Sequence, residues 1–193
     1  MRAIACACLL LLGGCALLSK ATPEEIRYFS PEGMDAHRAA RSTQPPLARV
    51  RLGRLTSSAN LRYRIVHRKS AVELDMYETL RWTENPEDYV RRSLSRALFD
   101  DGLLEQAVGG AGVTLDVDLV AFEEAQRENR HVGRTQLQYL LHDERLVLAS
   151  GVVTVERDAT GAGIGPVVAA IGTAMDAATS ELARDVVSHL RSR

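Results

Sequence analysis

Five histidines, three cysteines and a few closely spaced carboxylates are what could carry chemistry in this 193-residue chain. The histidines are His37, His67, His131, His142 and His189. No two sit one helical turn apart, and none lies in a His-Glu-x-x-His arrangement. His131 and His142 flank one expected strand, too far apart to share a metal by local geometry, so all five read as surface residues. Ser150 stands in Ala-Ser-Gly without the G-x-S-x-G pattern that exposes a nucleophile. Asp116 and Asp118 share one face of an expected strand, as solvated carboxylates do. Gly161 to Gly165 reads G-x-G-x-G before a helix. A dinucleotide site needs G-x-G-x-x-G, and a phosphate loop needs Lys and Ser or Thr after its last Gly. Pro166 also removes a backbone donor from that helix start. The stretch reads as a connector. The residues make no case for catalysis, a metal or a cofactor.

The cysteines point elsewhere. Cys6 and Cys8 lie in an apolar run from Ala3 through Leu12, preceded by Met1-Arg2 and followed by Gly13-Gly14-Cys15. A charged start, a short apolar core and small residues at a cut site describe a secretory signal peptide, residues 1–14. The run is too short to span a bilayer, which takes about 20 apolar residues as a helix. Leu12-Gly13-Gly14-Cys15 resembles the lipobox of bacterial lipoproteins, which implies cleavage before Cys15 and acylation there, palmitate included. Each buried methylene contributes about 0.8 kcal/mol, so three acyl chains make attachment effectively permanent. Ala16 stands where an Asp usually means inner-membrane retention, which implies the outer membrane. Cys6 and Cys8 leave with the signal peptide, so no thiol remains for a disulfide. The covalent lipid on Cys15 is the one added group expected.

Composition excludes little: 46% hydrophobic and 25% charged residues are ordinary for a globular protein. Loss of Arg2 takes the formal charge from −1 to −2, so nothing global points to nucleic acid. From Arg41 to Ser70, however, there are eight Lys or Arg and no Asp or Glu, including Arg49, Arg51, Arg62, Arg64 and Arg68. That is a solvated strand face balanced by the acid that follows, or a basic surface for anionic headgroups or an acidic partner. Near-surface cations contribute about 1 kcal/mol each at such headgroups. Trp82, the only Trp, lies close to Tyr77 and Arg81. A lone Trp usually plugs a core, yet Tyr, Arg and Trp together are the residues that most often anchor an interface.

These residues need a scaffold. Residues 15–45 read as a lipidated N-terminus and tether, punctuated by Pro23, Pro31, Gly33 and Pro45. A flexible chain of thirty residues reaches roughly 30 Å. Ile26, Tyr28 and Phe29 interrupt it and predict a short extended piece docked on the domain, or a partner-binding segment. The domain is expected at 46–193. Alternation predicts strands around Val50–Leu52, Leu61–Ile65 and Val72–Met76, the last two as a hairpin. Asn85-Pro86 with Glu87 and Asp88 starts a helix that ends near Gly102. Strands follow at Val113–Ala121, Val132–Leu141 and Leu146–Glu156, the first two joined by a charged turn from Glu123 to Asn129, in an antiparallel meander. Apolar residues then recur every three or four positions from Val168 to Leu190, an amphipathic helix. The fold class expected is α+β: a mostly antiparallel sheet of five to six strands with two amphipathic helices packed on one face.

In this order and spacing the pieces resemble the ABC-type transport auxiliary lipoproteins, the PqiC-like outer-membrane lipoproteins. The residues that carry the resemblance are the lipobox, Leu52-Gly53-Arg54-Leu55, Ile65 to Arg68, Tyr77-x-x-x-Arg81-Trp82-x-Glu84-x-Pro86, Leu115 to Glu123, and the closing Ala-rich helix. The tether lacks the Tyr-x-Leu strand expected after the lipobox; Ile26-Arg27-Tyr28-Phe29 stands in for it. The resemblance implies a non-catalytic adaptor of a mammalian-cell-entry (MCE) type system that moves lipids or hydrophobic molecules and serves membrane integrity. Its partners would be a periplasmic MCE-domain protein, an ABC permease and ATPase, and other copies of itself in a ring. It would face the periplasm from the outer membrane, with Cys15 as anchor and Tyr77, Arg81 and Trp82 as a packed or partner-facing cluster. The alternatives are a lipid carrier with a cavity between sheet and helices, or an outer-membrane assembly lipoprotein.

Overall fold

The computed structural model describes residues 24–33, 43, 45–109, 112–128, 130–161 and 163–192. The signal peptide and Cys15 lie outside them. The docked piece is strand β1 (Arg27–Phe29), which pairs parallel with β4 further along. Strand β2 (Ala48–Ser57) and β3 (Arg64–Arg68) precede β4 (Leu74–Trp82), which turns back antiparallel on β3. Helix α1 (Pro86–Phe99) follows, then the short β5 (Leu104–Gln106). Three long strands come next: β6 (Val113–Arg127), β7 (Arg130–His142) and β8 (Val147–Asp158). Helix α2 (Ile164–Arg191) closes the fold.

Everything hangs on β6. One edge pairs antiparallel with β7 over its whole length, and β7 pairs likewise with β8. The other edge is shared. Val113–Leu119 pairs parallel with β2, and Glu123–Ala125 pairs parallel with β3. The expected α+β class holds, but the sheet has eight strands and is not mostly antiparallel: four of its seven pairings are parallel. The physical reason lies at Ser58–Tyr63. After β2 the chain does not turn back; it sidesteps and continues in the same direction as β3, so both run along β6. Alternation reports which residues face a core, not which way a strand runs. The two short strands β1 and β5 carry too few residues to show a period.

Both helices lie on one face. Helix α2 crosses β7 and β8, and α1 packs beside α2. At about 1.5 Å per residue α2 is roughly 42 Å long, close to the roughly 44 Å of the thirteen-residue β7. It lies directly on the sheet: a Cβ on Gly133 would meet Ile171 N at 2.2 Å. Between sheet and helices sit Leu115, Val117, Leu119, Phe122, Leu137, Ile171, Met175 and Leu182, all essentially without solvent contact. Fully burying such a side chain contributes about 1.5–3 kcal/mol. Helix α1 starts where Asn85-Pro86 predicts, although the Asn85 side chain makes no cap bond; Asp88 N–H donates instead to Asn85 O at 3.0 Å.

The N-terminal segment is clipped onto this body at three points. Beyond the β1 pairing, Pro31 is buried against α2, so close that a Cβ on Gly172 would stand 2.1 Å from Pro31 O. Glu32 then takes Arg92 at 2.9 Å and Arg96 at 3.5 Å, both on α1. Arg92 also reaches Glu84 at 2.7 Å, and the two carboxylates push its guanidinium further toward the charged form, Glu32 most strongly.

Candidate functional site

Adjacent residues in an extended strand point to opposite faces, and β6 uses this to bury two carboxylates back to back. Glu124 pairs across to Gly133, which touches α2, so it lies on the helix side. Tyr77 O–H donates to its Oε2 at 2.5 Å, and His131 Nδ1 meets its other oxygen. His67 stacks on Tyr77 with ring centroids 4.6 Å apart. Burial, then the hydrogen bond to Glu124 and its charge, push the Tyr77 hydroxyl well above the usual phenol range. On the open face Glu123 is 1% exposed. Arg68 Nε donates to it at 2.6 Å and Arg134 Nη1 at 2.8 Å. Arg134 continues to Gln136 at 2.5 Å and Glu156 at 3.6 Å, and Glu156 holds Arg127. Along this run Arg68, Glu123, Arg134, Glu156 and Arg127 each face an opposite charge. Such an arrangement rivets strands together.

Sequence reasoning read Glu123 and Glu124 as a turn. They sit instead in the C-terminal half of β6; Arg68 and Arg134 pair with Glu123, while Tyr77 and His131 hydrogen-bond Glu124, all four coming from three other strands. The missing signal was long-range: nothing within ten residues of Glu123 names its partner Arg68.

Tyr77, Arg81 and Trp82 do not form one surface. Trp82 is 1% exposed, packed 5.2 Å from the Phe122 ring and edge-on to Tyr89 at 6.3 Å. Arg81 folds back on its own strand, donating to the carbonyls of Tyr77, Glu78 and Leu80 at 2.5–3.1 Å. It closes the irregular stretch of β4 between its pairings with Val66 and Arg64. The basic residues are similarly dispersed. Arg68 is spent on Glu123, Arg49 lies 3.3 Å from Glu105, and Arg51 donates to Thr114 Oγ1 at 2.8 Å. Arg62 and Arg64 are exposed, without a partner among the described residues.

A concave surface does emerge among the described residues. The end of α1, the residues just after it and the C-terminal half of α2 line a groove of about 540 Å³. Ala97, Leu98, Leu103, Ala183 and Val187 give it an apolar lining; Asp101, Arg184 and Arg191 give it charge. That volume is within the range of ligand and peptide sites, roughly 300–1,000 Å³. Arg184 and Arg191 are exposed, available to an acidic group on whatever enters. The four-residue spacing Ala183-Val187-Arg191 was readable as one face of a helix, but the opposing wall from α1 was not.

With the geometry in place, comparison with known proteins decides the family. The sequence matches the ABC-type transport auxiliary lipoprotein component over residues 34–183, well over half the chain. The chain belongs to that family. Its fold is similar to the crystal structure of a Xanthomonas campestris protein, with a TM-score of 0.73 at 21% identity over 86% of this chain and 98% of that one. A second solved protein gives 0.67 at 14% identity, covering 84% and 99%. A Chlamydia trachomatis protein gives 0.55 at 8% identity, covering 76% and 99%. No curated protein matches in sequence. At such identities the structures establish the fold; the family match establishes an auxiliary lipoprotein of ABC-type transport. Among the described residues no helix is long and apolar enough to cross a membrane.

Proposed function

We propose that this auxiliary lipoprotein is the outer-membrane-anchored, periplasm-facing adaptor of an MCE-type ABC transport system that moves lipids or other hydrophobic molecules between the membranes. The family match over residues 34–183 carries the reading. The adaptor performs no bond chemistry. Its two buried glutamates, Glu123 and Glu124, are tied up in strand-to-strand contacts, and the hard work belongs to a permease and ATPase elsewhere. An MCE-domain protein delivers the conduit, and several copies of the lipoprotein in a ring would receive it. Cys15 supplies the anchor, and the groove between α1 and α2 is the concave surface for a protein segment. A carrier with an acyl chain sandwiched between sheet and α2 fits poorly, because at Gly133 the two backbones touch.

The test is covalent crosslinking in intact cells with the tagged, full-length lipoprotein, followed by mass spectrometry of what co-purifies. Recovery of an MCE-domain protein with its permease is the expected result. Recovery of β-barrel assembly or lipopolysaccharide machinery instead would replace the adaptor with an assembly role. Stoichiometric phospholipid on a Cys15→Ser protein would replace it with a carrier.

A further inference from the structure

The clipped N-terminus fixes which end of the body meets the membrane. β1 runs parallel to β4, with Arg27 opposite Leu80 and Phe29 opposite Trp82. The chain preceding Arg27 therefore points the way the start of β4 points, toward the β3–β4 hairpin. That end also carries the β6–β7 turn and the β8–α2 connection, because β3 and β6 are parallel and β7 and β8 alternate against them. The β7–β8 hairpin and the α1–α2 groove lie at the other end.

Chain length then decides the distance. Eleven residues, twelve Cα-to-Cα steps, separate Cys15 from Arg27. Their length sets a limit of about 40 Å. From Leu80, level with Arg27, down to Leu74 at the base of the hairpin is six residues, at most roughly 20 Å of strand. The base of the hairpin thus lies well within the anchor's reach. Bringing the opposite end to the membrane would need the linker to reverse direction and run back over the body.

The hairpin carries the side chains for such a contact. Val72 is 94% exposed at the tip and Leu74 is 42% exposed beside it, with Ile26 49% exposed on the strand leading to the anchor. Near the hairpin, Lys69 pairs with Asp75 at 2.7 Å and, at the neighbouring β6–β7 turn, Arg130 pairs with Asp158 at 2.9 Å, whereas Arg157 is exposed and, among the described residues, donates only to the Glu156 carbonyl. The contact made by Val72 and Leu74 is apolar, so it should depend little on salt. We propose that the β3–β4 hairpin tip, through Val72 and Leu74, rests on the lipid surface while the clip of β1, Pro31 and Glu32 holds the α1–α2 groove away from it. This rests on acylation of Cys15.

The mature chain has no thiol besides Cys15, so single cysteines report position cleanly. Full-length lipoprotein carrying Val72→Cys or Leu146→Cys is labelled with a fluorophore and reconstituted in phosphatidylethanolamine/phosphatidylglycerol vesicles containing headgroup-nitroxide lipid. The probe at position 72 should be quenched at least threefold more than the probe at 146, at low and high salt alike. Adding Glu32→Ala and Gly172→Ala should erase the difference while the protein still floats with the vesicles. Intact mass separates the two ways of failing. Protein without acyl chains on Cys15 overturns the anchor and the orientation together; acylated protein with equal or inverted quenching overturns the orientation alone.

Discussion

Glu124 is 3% exposed, and water contributes little to holding its charge; Tyr77 and His131 must. Hydrogen bonds to a charged acceptor contribute about 1.5–3 kcal/mol, so Tyr77→Phe should cost about that much at pH 7 in urea unfolding. The pH dependence gives a sharper test. The folded Tyr77 holds its proton above the unfolded value of about 10. Its contribution is therefore complete below pH 10 and is lost as pH rises from there through the folded value. Between pH 9 and 11 the gap between wild type and Tyr77→Phe should narrow. Tyr139, whose hydroxyl burial also pushes up, is common to both proteins and cancels. Parallel curves would mean that Tyr77 and Glu124 are not coupled. Thr135 predicts the opposite sign. Its hydroxyl is buried without a hydrogen-bond partner among the described residues, and an unsatisfied polar group costs about 1–3 kcal/mol. Thr135→Val keeps the shape and should raise Tm by about 2–4 °C per kcal/mol recovered. A fall in Tm would show that the hydroxyl is satisfied in solution.

At the scale of elements, the clip makes Gly172 an exception to helix propensity. Replacing Gly by Ala inside a helix usually stabilises by about 1 kcal/mol. Here the added methyl would collide with Pro31 O. Gly172→Ala should therefore release residues 24–33 while the body, with its own core, unfolds within about 1 kcal/mol of wild type. Limited trypsin digestion reads this directly: rapid cleavage after Arg27 in the variant, protection in the wild type, with equal protection sinking the idea. The elements show where sequence was legible. Both helices were, because α2 repeats its apolar step over seven turns and α1 announces itself with Asn85-Pro86. The docking of Ile26–Phe29 was readable from three apolar side chains in a polar stretch. Strand direction was not, since residues around Val50, Leu61 and Val72 alternate identically whether the chain reverses or sidesteps. The end of β6 was lost because two adjacent glutamates resemble a solvated turn until Arg68 and Arg134 are placed beside them. Trp82, weighed as core or interface, is core: its neighbours Tyr89 and Phe122 lie on a helix and a strand that only the fold brings to it.

In the orientation proposed above, the molecule has two unlike ends, the hairpin toward the anchor and the groove away from it. An adaptor standing on one membrane and receiving a conduit from the other needs that polarity, since a partner arriving from across the periplasm meets the membrane-distal end first. Arg184 and Arg191 beside Val187 give this end an apolar surface bordered by positive charge, suited to a segment with an acidic residue beside an aliphatic one. The two ends should consequently capture different classes of molecule. A photo-crosslinking amino acid at Ser188, exposed on the groove wall, should trap a protein of the transport system in living cells, and the same group at Val72 should trap phospholipid. Arg184→Glu would reduce the Ser188 adduct severalfold without changing Tm, because Arg184 is exposed and charge reversal at a rim acts mainly on encounter. Protein adducts at Val72 with none at Ser188 would invert the molecule on its membrane and take the groove out of the adaptor mechanism.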